Sequence, residues 1–91
     1  MSDDVMIRLY DTFGAGTYVE FAKIRPYKRP PFGFKVEILQ RFINSGKWRR
    51  VAVGRFFEVD DAVDFICENS LAAKPYVKEQ LEKLKERVGW L

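Results

Sequence analysis

The fold is decided by residues 21–57, which read FAKIRPYKRPPFGFKVEILQRFINSGKWRRVAVGRFF. Apolar and polar residues alternate from Phe34 to Ile43, as in a β-strand with one buried face, and residues 48–57 are predicted to form the returning strand. The residues between these two segments, Asn44 to Lys47, are of the types that form turns. This stretch therefore predicts a β-hairpin.

The hairpin can pair in two registers, and the register decides which side chains are buried. A four-residue loop sets Ile43 opposite Trp48. The core face then contains Phe34, Val36, Ile38, Phe42, Val51, Val53 and Phe57. The solvent face contains Lys35, Leu39, Arg41, Ile43, Trp48, Arg50, Ala52, Gly54 and Phe56. A three-residue loop pairs Phe42 with Trp48 instead and puts Phe34, Phe42, Trp48 and Phe56 on one face. The four-residue loop is the preferred prediction because its core face is more uniformly apolar.

Two strands precede the hairpin and two helices follow it. Val5 to Tyr10 alternates loosely, and Thr17 to Arg25 is rich in β-branched and aromatic residues up to Pro26. Asp61 to Asn69 has helical spacing with Asp60 as its N-cap, and Pro75 suits the first turn of a second helix. The sequence thus predicts an α+β fold, in which an antiparallel sheet of about four strands is followed by two C-terminal helices.

The second helix carries a narrow apolar stripe with heptad spacing, formed by Val77, Leu81, Leu84, Val88 and Leu91. Such a stripe suits a partner helix, although it could also pack on the sheet of its own chain. The preferred prediction is a homodimer formed through this helix. Residues 1–73 would then form the binding domain, and residues 74–91 would form the dimerisation segment.

Charge is strongly segregated along the chain, although all 91 residues together carry a net charge of only +3. Residues 21–57 contain ten basic residues and one acidic residue, whereas residues 1–20 and 58–91 are both net negative. The same stretch contains eight aromatic residues. Cations bind phosphate groups and aromatic rings stack on bases, so this combination predicts binding of single-stranded nucleic acid.

A stiff loop lies in the middle of the basic stretch. Prolines at 26, 30 and 31 keep it extended, and between and beside them lie Tyr27, Lys28, Arg29 and Phe32. The loop is either a solvated connection or a preorganised arm that presents two rings and two cations. The second interpretation is preferred because loops often carry binding residues.

Composition argues against several other classes of protein. A hydrophobic content of 47% does not fit a disordered chain, and no run of 18 apolar residues predicts a membrane span. The single cysteine, Cys67, fits a reducing cytoplasm, and the high charge with few amides favours a thermophile. Without histidine or a phosphate-binding loop, the sequence predicts no enzyme, no metal, no other cofactor and no small-molecule substrate.

The layout, together with Lys47-Trp48-Arg49-Arg50 and the apolar stripe of residues 77–91, resembles the archaeal ThermoDBP family of single-stranded DNA-binding proteins. The resemblance implies an antiparallel sheet backed by helices, a zipper-like dimer, and a groove that binds single strands without sequence preference. It also implies that the groove is formed by Arg25, Tyr27, Lys28, Arg29, Phe32, Lys35, Arg41, Trp48, Arg50 and Phe56. The Whirly and positive-cofactor type of single-strand binder has a similar layout.

Two other functions fit the same basic stretch. One is a regulator that binds duplex DNA, with the hairpin inserted into the major groove, because no recognition helix is evident. The other is an interaction module for an acidic protein, because aromatic residues and arginine are also common at protein interfaces.

Overall fold

The chain forms a four-stranded antiparallel sheet followed by two helices, which confirms the predicted α+β class. The structure is a computed structural model, and it describes residues 4–11, 17–27, 29 and 33–88. The strands follow one another in the sheet in the order of the chain. They are β1 (Val5–Asp11), β2 (Tyr18–Tyr27), β3 (Gly33–Phe42) and β4 (Trp48–Phe56). The helices are α1 (Val59–Asn69) and α2 (Lys74–Val88).

The two central strands owe their form to alternation of apolar and polar side chains. Every second side chain is buried from residue 20 to 24 in β2 and from residue 34 to 38 in β3, among them Ala22, Ile24, Val36 and Ile38. β2 continues through Pro26, which the sequence predicted to end it. The described pairing of β1 with β2 stops at Ile24, so at Pro26 the described partner of β2 is β3 alone. Proline is tolerated at the edge of a sheet because no neighbouring strand needs its missing N–H donor.

The hairpin register differs from the preferred prediction. Arg41 pairs with Trp48, and the turn closes one residue early, between Phe42 and Lys47. A β-bulge then leaves Val51 without a partner, so that Ile38 pairs with Ala52. Because a bulge shifts the alternation by one residue, the rest of β4 follows the register of the three-residue loop.

The bulge reverses the predicted faces of β4 from Val51 onward, whereas Trp48 and Arg50 stay on the predicted solvent face. Ala52 and Phe56 pack against the core, whereas Val51, Val53 and Phe57 are between 39% and 57% exposed. The prediction that these last three residues belong to the core is therefore wrong. Phe34, Val36 and Ile38 on β3 are buried as predicted.

Both helices pack on one face of the sheet, which we call the inner face. The core joins this face to α1 and α2 through Ile7, Leu9, Ala22, Ile24, Phe34, Val36, Ile38, Ala62, Val63, Ile66, Val77, Leu81 and Leu84. α1 begins at Val59, two residues before the predicted start, and Asp60 and Asp61 lie in its first turn, where carboxylates suit the helix dipole. Buried Glu20 accepts a hydrogen bond from the backbone N–H of Leu71 and so ties β2 to the connection between the helices.

The apolar stripe of α2 faces the core of its own chain. Val77, Leu81 and Leu84 are at most 3% exposed, so they are not available as the seam of a dimer. This corrects the predicted role of these three residues and the division of the chain at residue 74, because α2 shares one core with the sheet. The Val88 side chain and Leu91 lie outside the described part of the chain. Homodimerisation itself stays a prediction.

Candidate nucleic-acid interface

The face of the sheet opposite the helices, which we call the outer face, carries most of the predicted binding residues. Paired residues of neighbouring strands point to the same face, so the register defines its members. Four successive rows of side chains across β2, β3 and β4 make up most of this face. They are Val19–Arg41–Trp48, Phe21–Leu39–Arg50, Lys23–Glu37–Val53 and Arg25–Lys35–Arg55. Within the described ranges, both helices pack on the inner face and leave the outer face open.

An aromatic cluster lies at the end of the outer face nearest the β3–β4 turn. The rings of Phe21 and Trp48 are 5.6 Å apart between centroids and are tilted by 43°. The guanidinium carbon of Arg41 lies 5.7 Å from the centre of the Trp48 ring. Trp48 remains 51% exposed, so it presents an aromatic surface beside a cation. This is the combination that stacks on bases and binds phosphate.

A second aromatic cluster lies at the opposite end of the same face. Arg55 lies between two rings, with its guanidinium carbon 4.2 Å from the centre of Tyr27 and 5.6 Å from that of Phe57. Gly33 makes room for this arrangement, since a Cβ there would lie 3.0 Å from the Phe57 ring and 2.7 Å from the Phe56 carbonyl oxygen. Its φ of +142° is also one that glycine alone adopts readily.

Ion pairs occupy the middle of the outer face. The Asp4 carboxylate accepts hydrogen bonds from Arg25 Nε at 2.7 Å and Nη2 at 3.1 Å, and Lys23 Nζ lies 3.3 Å from it. These hydrogen bonds and the attraction of Asp4 raise the pKa of the Arg25 guanidinium above its ordinary value. On β3, Lys35 Nζ pairs with Glu37 at 3.2 Å. Arg41 and Arg50 form no ion pair with any residue that the structure describes.

Six of the ten predicted binding residues lie together on the outer face. They are Arg25, Tyr27, Lys35, Arg41, Trp48 and Arg50. Arg29 is exposed in the loop after β2, and Lys28 and Phe32 lie outside the described residues.

Phe56 does not belong to this surface. Its ring packs on Phe65 of α1, with centroids 4.9 Å apart, because the bulge at Val51 turns it to the inner face. Sequence reasoning missed Phe21, Lys23, Arg55 and Phe57. The alternation of β2 could have shown the first two, which flank the apolar Ala22. The last two depended on the register of β4.

The other chemically reactive groups among the described residues form no site. Burial raises the pKa of the Cys67 thiol, although nearby Lys74 acts in the opposite direction, so the thiol is a poor nucleophile. Among the described residues, no three His, Cys, Asp or Glu side chains are grouped to hold a metal ion. In the same part of the chain, neither helix is long and apolar enough to cross a membrane.

The chain matches no protein-family model, no curated protein and no solved structure.

Proposed function

We propose that this protein binds single-stranded DNA or RNA on the outer face of its sheet, without sequence preference and without catalysis. The observation that carries the proposal is the pair of ring-and-cation clusters on one open face. Trp48 with Arg41 forms one, and Tyr27 with Phe57 and Arg55 forms the other. Exposed rings suit unpaired bases, since every base has a face on which a ring can stack.

The dimensions of the face favour a single strand over a duplex. Four strands at a spacing of ~4.8 Å are about 14 Å wide before side chains are added, whereas the major groove is about 12 Å wide. A two-stranded ribbon fits that groove, but a sheet of this width does not. Along β4, the seven residue steps from Trp48 to Arg55 span about 23 Å, which is long enough for about seven stacked nucleotides.

Charge supports the same assignment. The exposed side of α1 carries acidic residues at 60, 61, 64 and 68, while the charged residues on the outer face of the sheet are mainly lysine and arginine. A protein with charge divided in this way turns its basic face towards a polyanion as the two approach. A cytoplasmic location forms part of the proposal and is supported by the free thiol of Cys67. Membership of the ThermoDBP family stays a prediction.

Competition between a labelled 20-nucleotide oligothymidine and an unlabelled duplex of equal length tests the proposal. We expect the single strand to bind at least tenfold more tightly. If two to four phosphates are neutralised, the affinity falls by about 7- to 50-fold between 50 and 200 mM salt. Tighter binding of the duplex, or an affinity that does not respond to salt, would contradict the proposal.

An acidic protein segment is the second candidate ligand. Val53 and Phe57 lie on the outer face and are 45% and 57% exposed, and apolar contacts of this kind are common in protein interfaces. This candidate predicts that the protein binds no oligonucleotide at 150 mM salt. The same titration therefore separates the two functions.

A further inference from the structure

The lysine and arginine side chains of the outer face differ in whether they form ion pairs. On the β1–β2 side, one carboxylate, that of Asp4, contacts both Lys23 and Arg25. On the β3–β4 side, Lys35 pairs with Glu37 of its own strand, whereas Arg41 and Arg50 make no ion pair with any described residue. The ion pairs therefore neutralise part of the basic face but leave the charges of Arg41 and Arg50.

The contact between Asp4 and Arg25 has the geometry that a bound phosphate would need. Two guanidinium nitrogens donate to the two carboxylate oxygens, at 2.7 and 3.1 Å. Arginine binds phosphate through the same paired donors, so the carboxylate and a phosphate compete for them. The Asp4 side chain is only 10% exposed, and the side chains of Lys23 and Arg25, which are 36% and 54% exposed, both contact it.

We propose that Asp4 is an internal counter-ion that withdraws Lys23 and Arg25 from phosphate binding, so that the nucleic-acid strand lies along β3 and β4. The inference rests on the proposed function, because it names the part of the outer face that the strand contacts. It also assigns Arg25 a different role from the one that the family resemblance implies. Arg25 neutralises Asp4 within the sheet, and Arg41 and Arg50 bind the phosphates.

Removal of the Asp4 charge tests the inference, and Asp64 supplies a matched control. Asp64 lies on α1, on the helical side of the sheet, and its Oδ1 is 3.2 Å from Nζ of Lys74 on α2. Asp4→Asn and Asp64→Asn change the net charge by the same amount, so a general effect of charge is common to both. The affinity for a labelled 12-nucleotide oligothymidine is measured by fluorescence anisotropy at several salt concentrations, and circular dichroism checks that each variant is folded.

We expect Asp4→Asn to tighten binding about three- to tenfold at 50 mM salt. The plot of log affinity against log salt becomes steeper by up to about 1.4, because up to two further phosphates are neutralised. Asp64→Asn leaves the slope unchanged. Adding Arg25→Gln to Asp4→Asn removes most of the gain, whereas Arg25→Gln alone changes the affinity less than twofold.

Equal slopes for the two Asn variants would overturn the inference. A loss of affinity in Arg25→Gln as large as that in Arg50→Gln would do so as well, and this second comparison does not require Asp4→Asn to fold. In both cases the wild-type protein still binds single strands, so the proposed function stands. A wild-type protein that binds no oligonucleotide at 50 mM salt overturns the proposed function and, with it, this inference.

Discussion

Replacing Trp48 by alanine separates binding from stability, because the structure places this ring on the surface and the ring of Phe56 against the core. Trp48 is half exposed, and its described aromatic contact is with Phe21. Phe56 is the last residue of β4 and directly precedes the exposed Phe57, yet it packs on Phe65 of α1. The two substitutions remove aromatic side chains from opposite faces of one strand.

The magnitudes follow from these contacts. A base that stacks on an aromatic ring contributes about 1–3 kcal/mol, so Trp48→Ala should weaken binding about 5- to 150-fold. The lost contact with Phe21 costs about 0.5–1.5 kcal/mol of unfolding free energy. Phe56→Ala empties part of the core and should cost about 2–4 kcal/mol, while the affinity of the folded protein stays within about twofold of wild type.

Two measurements on each variant check this prediction. Urea denaturation gives the free energy of unfolding, and anisotropy with oligothymidine at 50 mM salt gives the affinity. Trp48→Phe is the matched control, since it retains a ring and should bind more tightly than Trp48→Ala. If Trp48→Ala destabilises the fold as much as Phe56→Ala and leaves binding unchanged, the assignment of the outer face is refuted.

Two further predictions concern the fold. Leu81→Ala in α2 should cost about 3 kcal/mol of unfolding free energy, whereas Leu71→Ala, at a residue that is 62% exposed, should change it by less than about 0.5 kcal/mol. The difference in unfolding free energy between Leu81→Ala and wild type should not depend on protein concentration, and a difference that grows with concentration would point to a dimer seam after all. Gly33→Ala should cost more than about 2 kcal/mol, because a Cβ there meets the Phe56 carbonyl, and the thermal melting temperature measures it. Gly46→Ala, where φ is +69° and a Cβ meets nothing, should cost about 1 kcal/mol, and equal losses at the two glycines would contradict the assigned close approach.

The sequence alone determined the element types, because these depend on the local periodicity of apolar residues. Alternation along residues 34–43 predicted a strand with Phe34, Val36 and Ile38 buried, and the structure bears this out. Helical spacing predicted α1 and α2, with small differences at their ends. The segregation of basic and aromatic residues into one stretch is likewise a property of the sequence itself.

Only the tertiary structure decided which face each side chain occupies. Side chains alternate between the two faces of a strand, so the single extra residue of the bulge at Val51 puts Phe56 in the core and Phe57 on the surface. The residue types of the turn do not predict such a bulge.

The stripe on α2 posed a similar ambiguity, since a heptad pattern states that a face is buried but not what buries it. The pairing of Asp4 with Arg25 joins residues 21 positions apart and follows from the register of β1 on β2. These features depend on contacts between distant segments, whose free energies are set by packing and charge in the assembled sheet and are not encoded in any local pattern.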